Sequence, residues 1–174
     1  MDDAEYLNLL IDMAKQAIET DMPSPVAYDV KGKPALDSIN PAFVAWCGRH
    51  GLEPVKAAYD AWWKLPGKVI PLAASGDPRG LPLLLQGLHS PNYMVVTVSA
   101  KGLARINDKH AIAPIIDACQ KAPMETVEAI AWSLLYFDDP EAQGAADKFI
   151  TNKEFLETFR RDAKQKGVQG IFGW

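Results

Sequence analysis

An internal repeat constrains the fold of this chain more than any other feature of its sequence. When the chain is aligned with a copy of itself shifted by 31 residues, Asp77 falls on Asp108, and Asp108 falls on Asp139. The apolar positions that follow coincide as well: Leu81 with Ile112, Leu84 with Ile115, Leu88 with Cys119 and Ile150, Val96 with Val127, Ala100 with Ala131, and Leu103 with Leu134. A period of this length predicts an array of helix pairs, in which each pair stacks on the next and the apolar faces form one continuous core.

Each repeat is expected to contain two short helices. The recurring Asp suits the N-cap of the first helix, because its carboxylate can accept hydrogen bonds from the unpaired N–H groups there. Pro78 and Pro140 follow two of the three Asp residues, where a first-turn proline is favoured. The segment 95–100, VVTVSA, has the β-branched composition of a strand. Its apolar residues nevertheless keep a helical spacing as far as Ile106, which favours the second helix of a repeat.

Residues 1–71, before the repeats, show a different organisation. Residues 4–20 have the apolar spacing of an amphipathic helix. Residues 21–39 contain three prolines and one glycine and are predicted to be a long loop. Asn40 and Pro41 predict the start of a helix that runs to His50. A further helix is predicted over about 53–64, ending before Pro66-Gly67, and a short apolar segment follows at 69–74.

These elements predict an all-α fold, a short α-α superhelix with N-terminal helices capping one end. We expect one domain over residues 1–174. Its parts are an N-terminal helical cap with a long loop (1–71), the repeats (72–151), and a C-terminal capping helix and tail (152–174). In the last helix, Phe155 and Phe159 are expected to cover the final repeat.

The repeat segments carry a resemblance to a known family. GDPRGLPLLLQGL and NDKHAIAPIIDAC resemble the first helices of HEAT-like repeats of the phycobilisome-lyase type, and SAKGLARIND and IAWSLLYFDD resemble the second helices. The resemblance covers Leu72 to about Thr151, slightly under half of the chain. It implies the fold and leaves the function open, since such proteins include scaffolds, chromophore lyases, DNA glycosylases and diiron hydroxylases.

Enzyme motifs are missing from the sequence. The diiron members of the family use His-Glu pairs as metal ligands, whereas His50, His89 and His110 are followed by Gly, Ser and Ala. There is no nucleophile elbow, no P-loop and no dinucleotide-binding glycine motif. Cys47 and Cys119 lack the paired spacing of a zinc site. We therefore expect no catalytic residue, no metal site and no cofactor.

Charge and hydropathy restrict the partners. A formal net charge of −4 argues against nucleic acid, whose binding depends on Lys and Arg neutralising phosphates. No apolar run approaches the roughly 20 residues of a membrane-spanning helix, and the acidic first residues are unlike a targeting peptide. We expect a cytoplasmic protein without nucleic-acid or membrane partners. The charge is uneven, because residues 1–29 hold seven acidic residues and one basic residue, whereas residues 148–167 are net positive.

A candidate binding patch follows from the repeat register. The positions of the second helices that the core does not use are 97, 101 and 105 in one repeat and 128, 132 and 136 in the next. They place Lys101 and Arg105 beside Trp132 and Tyr136, a composition typical of interaction hot spots. In HEAT-like repeats this stripe lies on the concave face, so we predict that the four residues contact a partner. The alternative is that Trp132 and Tyr136 pack against flanking helices.

The predicted function is that of a non-enzymatic interaction or scaffold module that binds another protein on its concave face. One alternative is an accessory or lyase-type protein that holds a small molecule in the concave groove, which an enclosed cavity would favour. Another is a neutraliser, of the immunity type, that binds a basic protein through its acidic N-terminal helix. The oligomeric state and the role of the apolar tail GVQGIFGW stay open.

Overall fold

The structure, a computed structural model, describes residues 2–28 and 34–166. The predicted tail, 167–174, lies outside them. The described residues form nine α-helices and one antiparallel pair of strands: α1 Asp3–Ile18, β1 Val26–Tyr28, β2 Pro34–Ile39, α2 Pro41–Arg49, α3 Pro54–Ser75, α4 Leu81–Gly87, α5 Tyr93–Ile106, α6 Ile112–Lys121, α7 Met124–Ala131, α8 Pro140–Phe149 and α9 Lys153–Lys166. Three 3-10 turns lie between helices, at Pro78–Gly80, Lys109–Ala111 and Trp132–Tyr136. The predicted all-α, repeat-like fold is confirmed.

The recurring Asp residues cap the repeats as predicted. Each carboxylate accepts a 2.9 Å hydrogen bond from the backbone N–H two residues later: Asp77 from Arg79, Asp108 from His110, and Asp139 from Glu141. The first two caps begin 3-10 turns that continue into α4 and α6, and the third begins α8 directly. Immediately before the second cap, Asn107 ends α5 with a left-handed backbone (φ 58°), which Asn tolerates better than most residues. Asn107 and Asp108 are therefore sufficient for the sharp change of direction between repeats.

The second helices form a layer that runs through the middle of the molecule. α5 packs against α3 on one side and against α7 and the 3-10 turn Trp132–Tyr136 on the other, and α4 also lies on it. Gly102 of α5 lies next to Ala73 of α3, and Arg105 next to Gly76. Because both pairs are separated by the same number of residues, α3 and α5 run in the same direction. Val95, fully buried within VVTVSA, confirms that this segment is helical core.

The N-terminal helix α1 covers the N-terminal end of this layer of helices. Asp2 and Glu5 form a capping box at its start: the Glu5 N–H donates to the Asp2 carboxylate at 2.7 Å, and the Asp2 N–H donates to the Glu5 carboxylate at 3.0 Å. α1 packs against α3 and α4. Its buried side consists of Leu7, Leu10, Ala14, Ala17 and Ile18.

The prediction for residues 53–74 was wrong. α3 is one helix of 22 residues that continues through Pro66 and Pro71, so there is neither an end at Lys64 nor a separate segment at 69–74. An interior proline costs about 3 kcal/mol because it removes a backbone hydrogen bond. Burial of Leu65, Val69 and Leu72 offsets that cost, at about 1.5–3 kcal/mol for each large side chain. The expected boundary between residues 71 and 72 therefore falls inside a helix.

The prediction of a long loop over the whole of residues 21–39 was also wrong. β1 and β2 pair within it, with Val26 opposite Ile39 and Tyr28 opposite Pro34. Ser24, which precedes this hairpin, is buried. Its hydroxyl accepts a 2.9 Å hydrogen bond from the Tyr93 N–H and so connects the chain before the hairpin to the start of α5. Pairing between short strands depends on a partner elsewhere in the chain, so periodicity within one strand did not reveal it.

Candidate functional site

The predicted stripe of the first repeat faces outward from α5. Eight residues of this helix are buried: Val95, Val96, Val98, Ser99, Ala100, Gly102, Leu103 and Ala104. Between positions 94 and 105, the partly exposed residues are Met94, Thr97, Lys101 and Arg105. These four positions recur every three or four residues, so they lie along one narrow strip of the helix. Lys101 and Arg105 are therefore brought together at the surface.

Arg105 also has a packing role at the end of α3. Gly76 has a left-handed backbone (φ 64°), and a Cβ atom there would lie 3.2 Å from the Cγ of Arg105. The aliphatic part of the arginine thus lies against the joint between α3 and the next repeat. Lys101, one turn earlier, is half-buried.

The aromatic half of the predicted patch lies in a different local structure. α7 ends at Ala131, and Trp132 and Tyr136 belong to the 3-10 turn that follows. Their rings contact the last helix edge-on: Trp132 lies 4.2 Å from Phe155, and Tyr136 lies 5.3 Å from Phe159, between ring centroids. Both are half-buried, and burial raises the pKa of the Tyr136 hydroxyl.

Glu128, which belongs to the same stripe, contacts the segment before α9. The Glu128 carboxylate accepts a 2.9 Å hydrogen bond from the Thr151 hydroxyl and a 3.2 Å hydrogen bond from the Asn152 N–H. Thr151, Phe155 and Phe159 each lie 23 residues after their partners in this stripe. A constant separation over two turns means that α9 runs parallel to α7 and its 3-10 extension. The chain's own α9 thus covers part of the stripe in the second repeat.

An arginine holds α9 in this position. Arg160 makes two hydrogen bonds to the Asp147 carboxylate of α8, at 2.8 and 3.1 Å, and these hold the pKa of Asp147 below its usual value. It also donates to the Gln143 side chain at 3.3 Å. The Gln143 amide in turn donates to the carbonyl groups of Leu135 and Phe137, where the 3-10 turn ends. The end of that turn and the position of α9 are thus linked through one set of polar contacts.

Two exposed apolar residues lie at the ends of this surface, of which sequence reasoning missed Ile70 and expected Phe155 only to cover the final repeat. Ile70 on α3 is 40% exposed and lies one repeat before Lys101, at the equivalent position of the preceding helix. Phe155 is 46% exposed although its ring meets Trp132. One further step of the repeat would have revealed Ile70, but the expected helix end at Lys64 hid it. We call Ile70, Lys101, Arg105, Trp132, Tyr136 and Phe155 the second-helix surface.

Comparisons with known proteins identify no relative. No family model, no curated protein and no solved structure matches the chain. The second-helix surface is therefore interpreted from its own chemistry.

A small cleft lies away from this surface. Its volume is about 180 Å³, and it is lined by residues at the end of α4, the start of α5 and the end of α6: Leu88, His89, Ser90, Tyr93, Val96, Asp117, Ala118, Lys121 and Ala122. The two charged residues in it already pair, with the Lys121 ammonium 2.6 Å from the Asp117 carboxylate. Ligand pockets usually have about 300–1,000 Å³. The cleft is therefore small for an organic ligand.

Cys119, His50 and His110 are each engaged in packing or in contacts within the chain. Cys119 is buried, and burial raises the pKa of its thiol to about 12. His50 stacks on Trp46 at 4.1 Å between ring centroids, and its Nδ1 lies 2.8 Å from the Trp46 carbonyl. His110 pairs with its own cap, Asp108, at 2.7 Å. Across residues 2–28 and 34–166, no three His, Cys, Asp or Glu side chains converge as metal ligands would. In the same residues, no helix is both long and apolar enough to span a membrane.

Proposed function

We propose that the chain is a non-enzymatic interaction module of the HEAT-repeat type, which binds a partner protein through the second-helix surface. The observation that carries the proposal is the exposure pattern of α5. Eight of its residues are buried, yet the strip with Lys101 and Arg105 is left at the surface between exposed Ile70 and exposed Phe155. The surface also contains Arg105, Trp132 and Tyr136, and these three residue types are the ones enriched in protein-binding hot spots.

The partner expected from this chemistry is a protein segment with apolar and acidic side chains. Ile70 and Phe155 would contact its apolar groups, and the two cations between them would meet carboxylates. α9 already contacts Trp132 and Tyr136, so these residues support the surface from one side and contribute their remaining exposed edges. For this reason, Ile70 and Lys101 are better mutational probes of binding than the two aromatic residues, whose loss also disturbs packing.

The test is capture of a partner from a lysate of the source organism, followed by calorimetry with the purified partner. Ile70→Ser and Lys101→Glu should each weaken its binding by more than about 1 kcal/mol, a larger loss than most interface residues cause. Leu52→Ser is the matched control, because Leu52 is 45% exposed in the turn between α2 and α3, outside the second-helix surface. A captured partner that binds both surface variants as tightly as the wild type would refute the proposal.

A further inference from the structure

The outer side of α1 carries apolar side chains that no described element covers. Tyr6 is 50% exposed and Leu9 is 46% exposed, and Met13 next to them is half-buried. These residues are spaced by three and four positions, so they form one ridge along the helix. The ridge lies beside the buried side, which packs against α3 and α4.

A row of carboxylates runs along this ridge. Glu5, Asp12 and Glu19 are all exposed and follow one another at heptad intervals. One heptad spans about 10 Å of helix, and the position drifts by only about 20° over that distance. Lys15, the one basic residue within α1, is 3.9 Å from the Glu19 carboxylate. The outer side of α1 thus combines an apolar ridge with a nearly straight line of negative charge.

A polar cap on a helical array explains only part of this pattern. An outermost helix needs a hydrophilic outer side, which the acidic residues provide. That requirement gives no reason for two large apolar side chains to stand half-exposed between the acidic row and the buried side. The spacing of the charges and the adjacent ridge instead match one side of a two-helix contact. In such contacts, apolar residues interlock while charged residues at heptad spacing pair across the seam.

We propose that the outer side of α1 binds a cationic amphipathic helix of another protein. Leucine or isoleucine side chains of the partner would pack around Tyr6 and Leu9. Lys or Arg residues at heptad spacing would lie opposite Glu5, Asp12 and Glu19. Charge complementarity selects this partner, since an acidic helix would be repelled by the carboxylates and a neutral one would offer them no cation across the contact. This binding is independent of the second-helix surface, which lies on other helices.

The test uses the whole chain and a synthetic helical peptide with Lys at three successive heptad positions and Leu along the adjacent side. A second peptide has the same composition, with its Lys and Leu positions shuffled. Isothermal titration calorimetry at low and high salt gives the affinities, and amide chemical shifts locate the contact. Leu9→Ser and Asp12→Lys are the test variants. Leu52→Ser and Asp138→Lys are matched controls, because both residues are exposed and neither lies on α1.

We expect saturable one-to-one binding of the patterned peptide, with shifts centred on α1 and an affinity that falls as salt rises. Leu9→Ser and Asp12→Lys should each lower that affinity roughly tenfold, and the two controls should leave it unchanged. Asp12→Lys should recover binding to a peptide whose central Lys is replaced by Glu. Circular dichroism should show all four variants folded, as expected for surface substitutions. Equal binding of the shuffled peptide, no binding of the patterned one, or equal losses in the controls would each overturn the proposal.

Discussion

Gly102 of α5 lies so close to Ala73 of α3 that a Cβ atom on the glycine would be 2.7 Å from the Ala73 Cβ and 2.8 Å from its Cα. Real side chains do not approach a backbone so closely, so Gly102→Ala must push the two helices apart. We expect a loss of about 1–3 kcal/mol in the free energy of unfolding, measured by urea denaturation. Gly144→Ala is the matched control, because nothing lies within 4 Å of its Cβ position on α8. That change should be neutral or stabilise by up to about 1 kcal/mol. Similar losses in both variants would contradict the close contact.

The hydroxyl of Ser99 is buried and makes no hydrogen bond within the described residues. Ser99→Ala removes an unpaired polar group and keeps the Cβ atom, so we expect it to be neutral or to stabilise by up to about 1 kcal/mol. Ser133→Ala provides the contrast, because the Ser133 hydroxyl is also buried but donates a 2.6 Å hydrogen bond to the Ile130 carbonyl. Its loss should cost about 1 kcal/mol in urea melts. The reverse order of the two variants would contradict this prediction.

The caps of the repeats should make the fold sensitive to acid. Hydrogen bonds from Arg79 lower the pKa of Asp77 from 3.8 to about 2, and the pKa values of Asp108 and Asp139 are also lowered, chiefly by hydrogen bonds from the backbone. A carboxylate with a lowered folded pKa stabilises the fold above its unfolded pKa, and that stabilisation is lost as the pH falls through the folded pKa. The free energy of unfolding should therefore fall between about pH 4 and pH 2.

The variant with Asn at positions 77, 108 and 139 should flatten this decline. Asn is as good an N-cap as Asp, but it does not titrate. Its urea stability should start lower at neutral pH, because Asp77 and Asp139 lose their ion pairs with Arg79 and Lys109. Asp138→Asn, at the exposed residue before the third cap, is the control and should follow the wild type. An equally steep decline in the triple variant would exclude the caps as its cause.

Leu103 and Leu134 occupy equivalent positions in the first and second repeats, and both are fully buried. Leu103→Ala and Leu134→Ala should each lower the free energy of unfolding by about 2–5 kcal/mol, because each change leaves a cavity in the core. Urea denaturation measures the effect. Leu9→Ala, at a residue that is 46% exposed on α1, is the control and should cost less than about 1 kcal/mol. Losses below about 1 kcal/mol in the two buried variants would mean that the repeat register is wrong.

The features that recur in the sequence were the ones that could be predicted. The Asp caps and the buried positions of α5 follow from local chemistry that returns in each repeat, so each occurrence supports the others. VVTVSA was placed in a helix because periodicity outweighed the strand propensity of its β-branched residues. Pro66 had the opposite effect: its low helix propensity led to a predicted helix end, whereas tertiary packing continues α3 through it.

The candidate site was predictable only in part. The outward strip of α5 could be predicted from the positions of its apolar residues, because helix residues that do not pack in the core are exposed to solvent. The contacts of Trp132 and Tyr136 with α9 correspond to the alternative prediction, that the two residues pack against flanking helices. The sequence could not decide between this packing and a fully open patch, because the two halves of the contact lie in different elements and no local pattern relates them.

The contact between Gly102 and Ala73 also determines how this array could grow. One repeat later, the equivalent positions are Ser133 and Ala104, again two small buried residues. One repeat further they are Lys164 and Leu135, too bulky for helices to approach as closely, and there α9 takes another alignment. A tandem copy of residues 77–107, inserted after Asn107, would recreate the glycine–alanine match at its new junction. Such an insertion would lengthen the stack by one layer of about 10 Å. Residues 77–107 thus have the small side chains that an added layer would need, whereas Lys164 and Leu135 at the last step do not.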